Sequence, residues 1–265
     1  MNAPEGGRTP AEVYETLFVP ALFRQWGPIV AGQAEIGDGD TVLDVACGTG
    51  VLARAAYERA GLHGKVVGLD ANPDMLSVAR RNHAQIDWHE GKAESLPFPD
   101  ASFDAVVSQF GLMFFDDRPG ALRQMMRVLR PGGRLAVAVW SALDRAPGYA
   151  ALARLLGQLF GDSIADAFRA PFVLGDPGRL LALCRAAEIA DAKVREHSGT
   201  VRFASIDALA SAERACVWTL GGLLDDAQFA DLLKHADIAL RPYVTADGAV
   251  VFDMPALVVT ARKQQ

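Results

Sequence analysis

Residues Val42 to Gly50 read Val-Leu-Asp-Val-Ala-Cys-Gly-Thr-Gly, an apolar strand that runs straight into a glycine turn. Further on, Asp70 ends a second apolar run, Val66-Val67-Gly68-Leu69. Few folds use that combination. In an α/β sheet the turn lets backbone approach a ligand, and an acid at the next strand end takes the hydroxyls of a ribose. The chain is therefore read as a nucleoside-binding α/β protein.

The spacing is Asp44-x-Ala46-x-Gly48-x-Gly50, with Ala53 where a dinucleotide turn carries its last glycine. Spacing alone leaves both cofactor types open, and Asp44 decides between them. A carboxylate just before the turn repels a pyrophosphate but suits the ammonium and sulfonium charges of S-adenosylmethionine. The pattern resembles motif I of class I S-adenosylmethionine-dependent methyltransferases, with Ala46 in place of the usual first glycine.

A second stretch extends the resemblance. Gly91-Lys92-Ala93-Glu94-Ser95-Leu96-Pro97-Phe98-Pro99-Asp100-Ala101-Ser102-Phe103-Asp104 is similar to the signature of small-molecule methyltransferases of the ubiquinone/menaquinone type. Where that family has an aspartate for the adenine amino group, this chain has Lys92, which offers only donors. The resemblance then leaves Ala93, through its backbone amide, and Glu94, as an acceptor, to meet the adenine. It implies Met75 against the adenine face and Gln109 beside the methionine part. The cofactor set is Asp44, Ala46, Cys47, Gly48, Gly50, Asp70, Asn72, Met75, Ala93, Glu94 and Gln109. The Leu129-to-Gly133 turn also matches the family, in a structural role.

Strands are expected over 41–46, 65–70, 86–90, 103–109 and 133–140, with helices over 51–60, 73–82 and 118–129 between them. Asn72 is a suitable N-cap and Pro73 a suitable first helical residue. Apolar strands alternating with helices indicate a parallel sheet covered on both faces. After Trp140 the chain reads as helix over 147–171 and 177–187, one strand within 192–203, helix over 205–241 and a final strand over 249–262. The fold class is a doubly wound, seven-stranded, mostly parallel sheet, its last strand antiparallel, with helical cap segments. Three parts follow: N-terminal cap helices (1–31), a cofactor-binding core (32–142), and cap insertions plus the final strands (143–265). Residues 1–10 read as disordered.

Composition narrows the function. Lys and Arg number 26 against 32 Asp and Glu, a net charge of −6, so nothing draws the chain to nucleic acid. The Asp/Asn-Pro-Pro-Tyr/Phe tetrapeptide of nucleic-acid amino methyltransferases is replaced by Ser108-Gln109-Phe110-Gly111. The three cysteines form no CxxC pair, so no metal site is expected. Neither an apolar leader nor a run long enough to span a membrane is present, which points to the cytoplasm. A homodimer is compatible with the sequence.

Methyl transfer from a sulfonium mainly needs alignment and exclusion of water, with a base only where the acceptor must lose a proton. Tyr14, Tyr149, His197, His235 and Tyr243 are bases by residue type, and no pattern selects one, so no catalytic residue is named. Tyr14, Phe18, Phe23, Trp26, Phe110 and Phe114 are the candidates to meet a small, partly apolar acceptor. Two alternatives stand beside a methyltransferase. One is a non-catalytic domain of the same build. The other is an NAD(P)-dependent oxidoreductase, disfavoured because none of the four tyrosines begins a Tyr-x-x-x-Lys pair.

Overall fold

The computed structural model describes residues 9–216 and 218–264. They fall into two compact units that interleave along the chain: a sheet unit (24–139, 174–197 and 256–264) and a helical unit (9–23, 140–173 and 198–255).

In chain order, α1 (Pro10–Val13) runs into a wide, π-type helix (Tyr14–Phe23), and α2 (Trp26–Gln33) follows. Then come β1 (Thr41–Val45), α3 (Val51–Ala60), β2 (Lys65–Asp70), α4 (Pro73–Asn82), β3 (Asp87–Glu90), β4 (Phe103–Gln109), α5 (Arg118–Val128) and β5 (Leu129–Trp140). Beyond them lie α6 (Pro147–Phe160), α7 (Asp162–Arg169), α8 (Pro177–Ala186), β6 (Lys193–His197), β7 (Thr200–Phe203), α9 (Ile206–Ala215), α10 (Asp226–Ala239), β8 (Val250–Asp253) and β9 (Ala256–Arg262).

The sheet unit holds seven strands in the order β3-β2-β1-β4-β5-β9-β6. The pairs β3–β2, β2–β1, β1–β4 and β4–β5 are parallel. The last strand, β9, runs antiparallel to β6, as expected. Val42, Leu43, Asp44 and Val45 of β1 are all buried, because helices cover both faces of the sheet. The order reverses between β1 and β4, and in such sheets the crevice at that reversal, at the carboxyl ends of the strands, is where ligands bind. Local chemistry starts each helix near this crevice. Asn72 Oδ1 accepts from the N–H groups of Asp74 and Met75 ahead of Pro73, and Asp117 Oδ1 accepts from Gly120.

The helical unit holds α1, the wide helix, α6, α7, α9, α10 and a two-stranded antiparallel sheet, β7–β8. That small sheet was not expected. Val201, Phe203, Val250 and Phe252 point inward at alternate positions, the period of a half-buried strand.

Several boundaries differ from expectation. The helix expected over 147–171 breaks at Gly161, whose φ of 87° only glycine adopts without strain. The single strand within 192–203 is two, one in each sheet, and the last strand is split in the same way by Pro255. The Pro131-Gly132-Gly133 turn falls within the bounds of β5 as a left-handed irregularity: Gly132 has φ 77°, and the pairing with β4 jumps from Leu129 to Arg134. Gly132 N–H donates to Lys263 O, and Lys263 N–H donates to Gly133 O, so the backbone of the turn is satisfied by the chain after β9. Of the disorder expected over 1–10, residues 1–8 lie outside the described residues. Thr9 and Pro10 are ordered, with Thr9 and Glu12 closing a capping box.

Candidate active site

The glycine turn leaves β1 through three left-handed residues, Ala46 (φ 58°), Gly48 (φ 55°) and Gly50 (φ 92°). Alternating left-handed residues point successive amides toward a common concavity. A Cβ on Gly48 would meet nothing within 4 Å, so that side of the turn is open. At Gly50 a Cβ would lie 2.5 Å from the Trp88 ring, which also packs onto Gly68. Trp88 on β3 thus braces the back of the turn, its indole N–H donating to His83 O at 2.9 Å.

Asp70 ties the turn to the end of β2. Its Oδ2 accepts from Gly48 N–H and its Oδ1 from Asn72 N–H, both at 2.8 Å. Burial pushes its pKa up, against the pull of these donors. Each oxygen keeps a second lone pair, enough for a pair of ribose hydroxyls.

Asp44 is wholly buried, and neither carboxylate oxygen has a hydrogen-bond partner among the described residues. Burial pushes its pKa well above the usual carboxylate range. The nearby Ala53 N–H pulls it down and the charge of Asp70 adds to the rise. Two more polar atoms at these strand ends, Thr49 Oγ1 and Ser108 Oγ, are buried without partners. Folded proteins keep such orphans mainly where a ligand or water completes them. Burial likewise pushes the Cys47 thiol well above its ordinary range, with Asp44 and Asp70 adding to the effect, so it is not a nucleophile.

The other expected residues spread along the same edge. Met75 is buried, and Ala93 and Glu94 open a short 3₁₀ turn after β3. Glu94 Oε1 accepts from Asp116 N–H at 3.0 Å, which takes up part of its acceptor capacity. Asn72 uses its side chain to cap α4. Lys92 is exposed. Gln109 ends β4, and Phe110 after it is left-handed (φ 59°).

The acceptor candidates fall in both units. In the helical unit Tyr14 stacks on Phe23 at 4.9 Å, and buried Phe18 meets Phe203 edge-on at 5.9 Å. In the sheet unit Trp26 is wholly buried and edge-on to Phe110 at 5.7 Å, whereas Phe114 is 40% exposed.

Sequence reasoning missed three groups. Arg127 on α5 donates to Leu96 O, Phe98 O and Asp100 Oδ1 at 2.6–2.9 Å, clamping the Leu-Pro-Phe-Pro-Asp loop. No local pattern marks it, since its partners lie 27–31 residues away. Ser108 and Thr49 could have been found, because they sit within motifs already singled out. Trp218, edge-on to Tyr14 at 6.2 Å, follows no motif.

The strand order, the reversal beside β1 and the acid-braced glycine turn define the fold of the class I S-adenosylmethionine-dependent methyltransferases. Residues 43–137 match the methyltransferase domain family. The chain is 39% identical over 147 residues to a 2-phytyl-1,4-naphtoquinone methyltransferase of Synechococcus elongatus, covering 53% of this chain and 61% of that protein. It is 40% identical over 136 residues to a ubiquinone/menaquinone biosynthesis C-methyltransferase of Hahella chejuensis, covering 49% and 55%. The chain thus spans less than two thirds of the length of these relatives. The YcgJ protein of Bacillus subtilis has the same fold, with a TM-score of 0.60 at 20% identity, over 91% of this chain and 99% of that one.

Proposed function

We propose that this chain binds S-adenosylmethionine at the carboxyl ends of β1, β2 and β4 and transfers its methyl group to a small, partly apolar acceptor. The observation that carries the reading is Asp44, a buried carboxyl with no hydrogen-bond partner among the described residues, beside an open glycine cradle. A cationic ligand makes burial of that carboxylate favourable, whereas a pyrophosphate would face two acids. Nothing in the site conflicts with the cofactor: it has an open turn, a diol-ready acid and unpartnered polar atoms.

When bound, the cofactor supplies a sulfonium-activated methyl group for in-line displacement. Asp44 would face its ammonium and sulfonium charges. Asp70 would hold the ribose while keeping the turn in shape. Met75 would pack on the adenine, with Ala93 N–H and Glu94 at its edge. Gln109 would border the methionine part, and Ala46, Cys47 and Asn72 would shape the cradle.

Two matched relatives carry the names of quinone methyltransferases. A quinone-type ring is accordingly the acceptor we propose, with Phe110 and Phe114, which follow β4 in the sheet unit, as its candidate contacts. A cytoplasmic place, a homodimer and the absence of nucleic-acid substrates belong to the same proposal. Among the described residues no helix is long and apolar enough to cross a membrane, and no cluster could hold a metal ion.

Calorimetric titration with S-adenosylmethionine and S-adenosylhomocysteine tests the reading. Micromolar binding of both is expected, weakened more than about tenfold (about 1.4 kcal/mol) by Asp70→Ala. Unchanged affinity in that variant would sink the site assignment.

A further inference from the structure

Glu213, near the carboxyl end of α9, is only 2% exposed. Its Oε1 accepts the Tyr149 hydroxyl at 2.7 Å. Its Oε2 is buried and meets no donor among the described residues. The main chain around it is pinned. Its carbonyl accepts from Cys216 N–H at 3.2 Å, Leu220 N–H at 3.3 Å and the Thr219 hydroxyl at 3.2 Å. Tyr149, on α6, is packed edge-on against Phe168 (5.6 Å) and Phe252 (5.2 Å), with Phe172 at 6.2 Å. The carboxyl is therefore anchored through a tyrosine that is itself packed among aromatic rings.

Among the described residues no ion pair neutralises it. Arg214, next along α9, pairs with Asp226 and lies 4.4 Å over the Phe229 ring. A half-satisfied buried carboxyl costs stability and is retained where something outside the protein completes it. None of the cofactor residues uses it.

We propose that Glu213 Oε2, with Tyr149 as its positioning residue, receives the O–H or N–H donor of a small aromatic molecule bound within the helical unit. The proposal stands apart from the reading above, since this site lies in the helical unit and needs no cofactor. Burial pushes the Glu213 carboxyl up to about 7, against the bonded Tyr149 hydroxyl and the nearby Thr219 hydroxyl, which donates to the Glu213 carbonyl; both pull it down. Cys216 is the other titratable group beside it. The carboxyl thus changes charge near neutrality and serves either a phenol, which needs an acceptor, or an ammonium, which needs an anion.

Three probes of one shape test this with the full chain: p-cresol, 4-methylbenzylamine and 4-methylanisole, which lacks a donor. Binding is followed by tryptophan fluorescence and ligand-observed NMR. Saturable binding is expected for a donor-bearing probe and at least tenfold weaker binding for 4-methylanisole. Glu213→Gln puts a donor where Oε2 stood and should weaken the donor-bearing probe at least tenfold. Tyr149→Phe, which frees the carboxyl to turn, should weaken it by a smaller factor. Both variants are first checked for cooperative thermal unfolding. Equal affinity for all three probes, no effect of either folded variant, or no binding of either donor-bearing probe overturns the proposal. S-Adenosylmethionine titration of the same samples separates the two readings. Glu213-dependent probe binding without cofactor binding would end the methyltransferase reading and leave this site standing.

Discussion

Asp44 is an acid kept in the protein interior without a donor, and its protonation couples folding to pH. Its folded pKa lies well above the ordinary 3.8, so the folded chain binds a proton that the unfolded chain has already released. The associated stability is fully present below pH 3.8 and is lost as pH rises toward the folded value. Asp44→Asn should therefore raise the melting temperature at pH 7.5, by an amount that shrinks toward pH 4, while weakening S-adenosylmethionine at least tenfold. Equal melting temperatures at pH 7.5 would contradict the buried, partnerless carboxyl. Ala46 carries a second local cost, since a side chain at φ 58° is strained by about 1–2 kcal/mol. Ala46→Gly should stabilise the fold by a fraction of that, because glycine loses more backbone freedom on folding. Gly111 is its counterpart: a Cβ there would stand 2.6 Å from the Ala46 Cβ. Gly111→Ala should destabilise strongly, and Ala46→Gly in the same chain should recover part of the loss, read as coupling in a double-mutant cycle of denaturant melts.

At the scale of elements, the candidate site is a set of strand ends held in place by groups from other elements. Asp70 on β2 fixes the turn after β1, Trp88 on β3 braces it, and Arg127 on α5 clamps the loop before β4. Arg127→Ala should cost about 1–3 kcal/mol of stability, since it strands two carbonyls, while its contact to the exposed Asp100 carboxylate adds little. It should also weaken cofactor binding by loosening the loop that carries Ala93 and Glu94. Arg127→Lys should restore little, because a point charge cannot reach Leu96 O, Phe98 O and Asp100 together as the guanidinium fork does. Denaturant melts and calorimetry check both, and full rescue by lysine would refute the clamp. The turn and the strand acids were legible because each is local: apolar run, glycine, acid. The clamp was not, because its partners meet only after α5 has packed.

Across the molecule, the chain devotes separate stretches to a sheet unit and a helical unit, and the helical unit carries its own buried acid. With Glu213 raised from the ordinary 4.5 to about 7, its share of stability is complete below pH 4.5 and lost as pH rises through about 7. That amounts to about 3 kcal/mol, with Tyr149, Thr219 and Cys216 as the groups that face it. Glu213→Gln should flatten the decline of stability between pH 4.5 and 7, measured by urea midpoints; an unchanged slope would show that the carboxyl is not buried in solution. Of all this, the sequence by itself determined the mostly parallel sheet and the glycine turn with an acid at the next strand end, because hydrophobic period and turn chemistry act between near neighbours. Only the tertiary structure decided that Asp44 lacks a partner, that Trp26 is core, that Val201, Phe203, Val250 and Phe252 form a second sheet, and that Tyr149 meets Glu213 across 64 residues. Burial and long-range pairing are properties of how elements pack, and no local pattern records them.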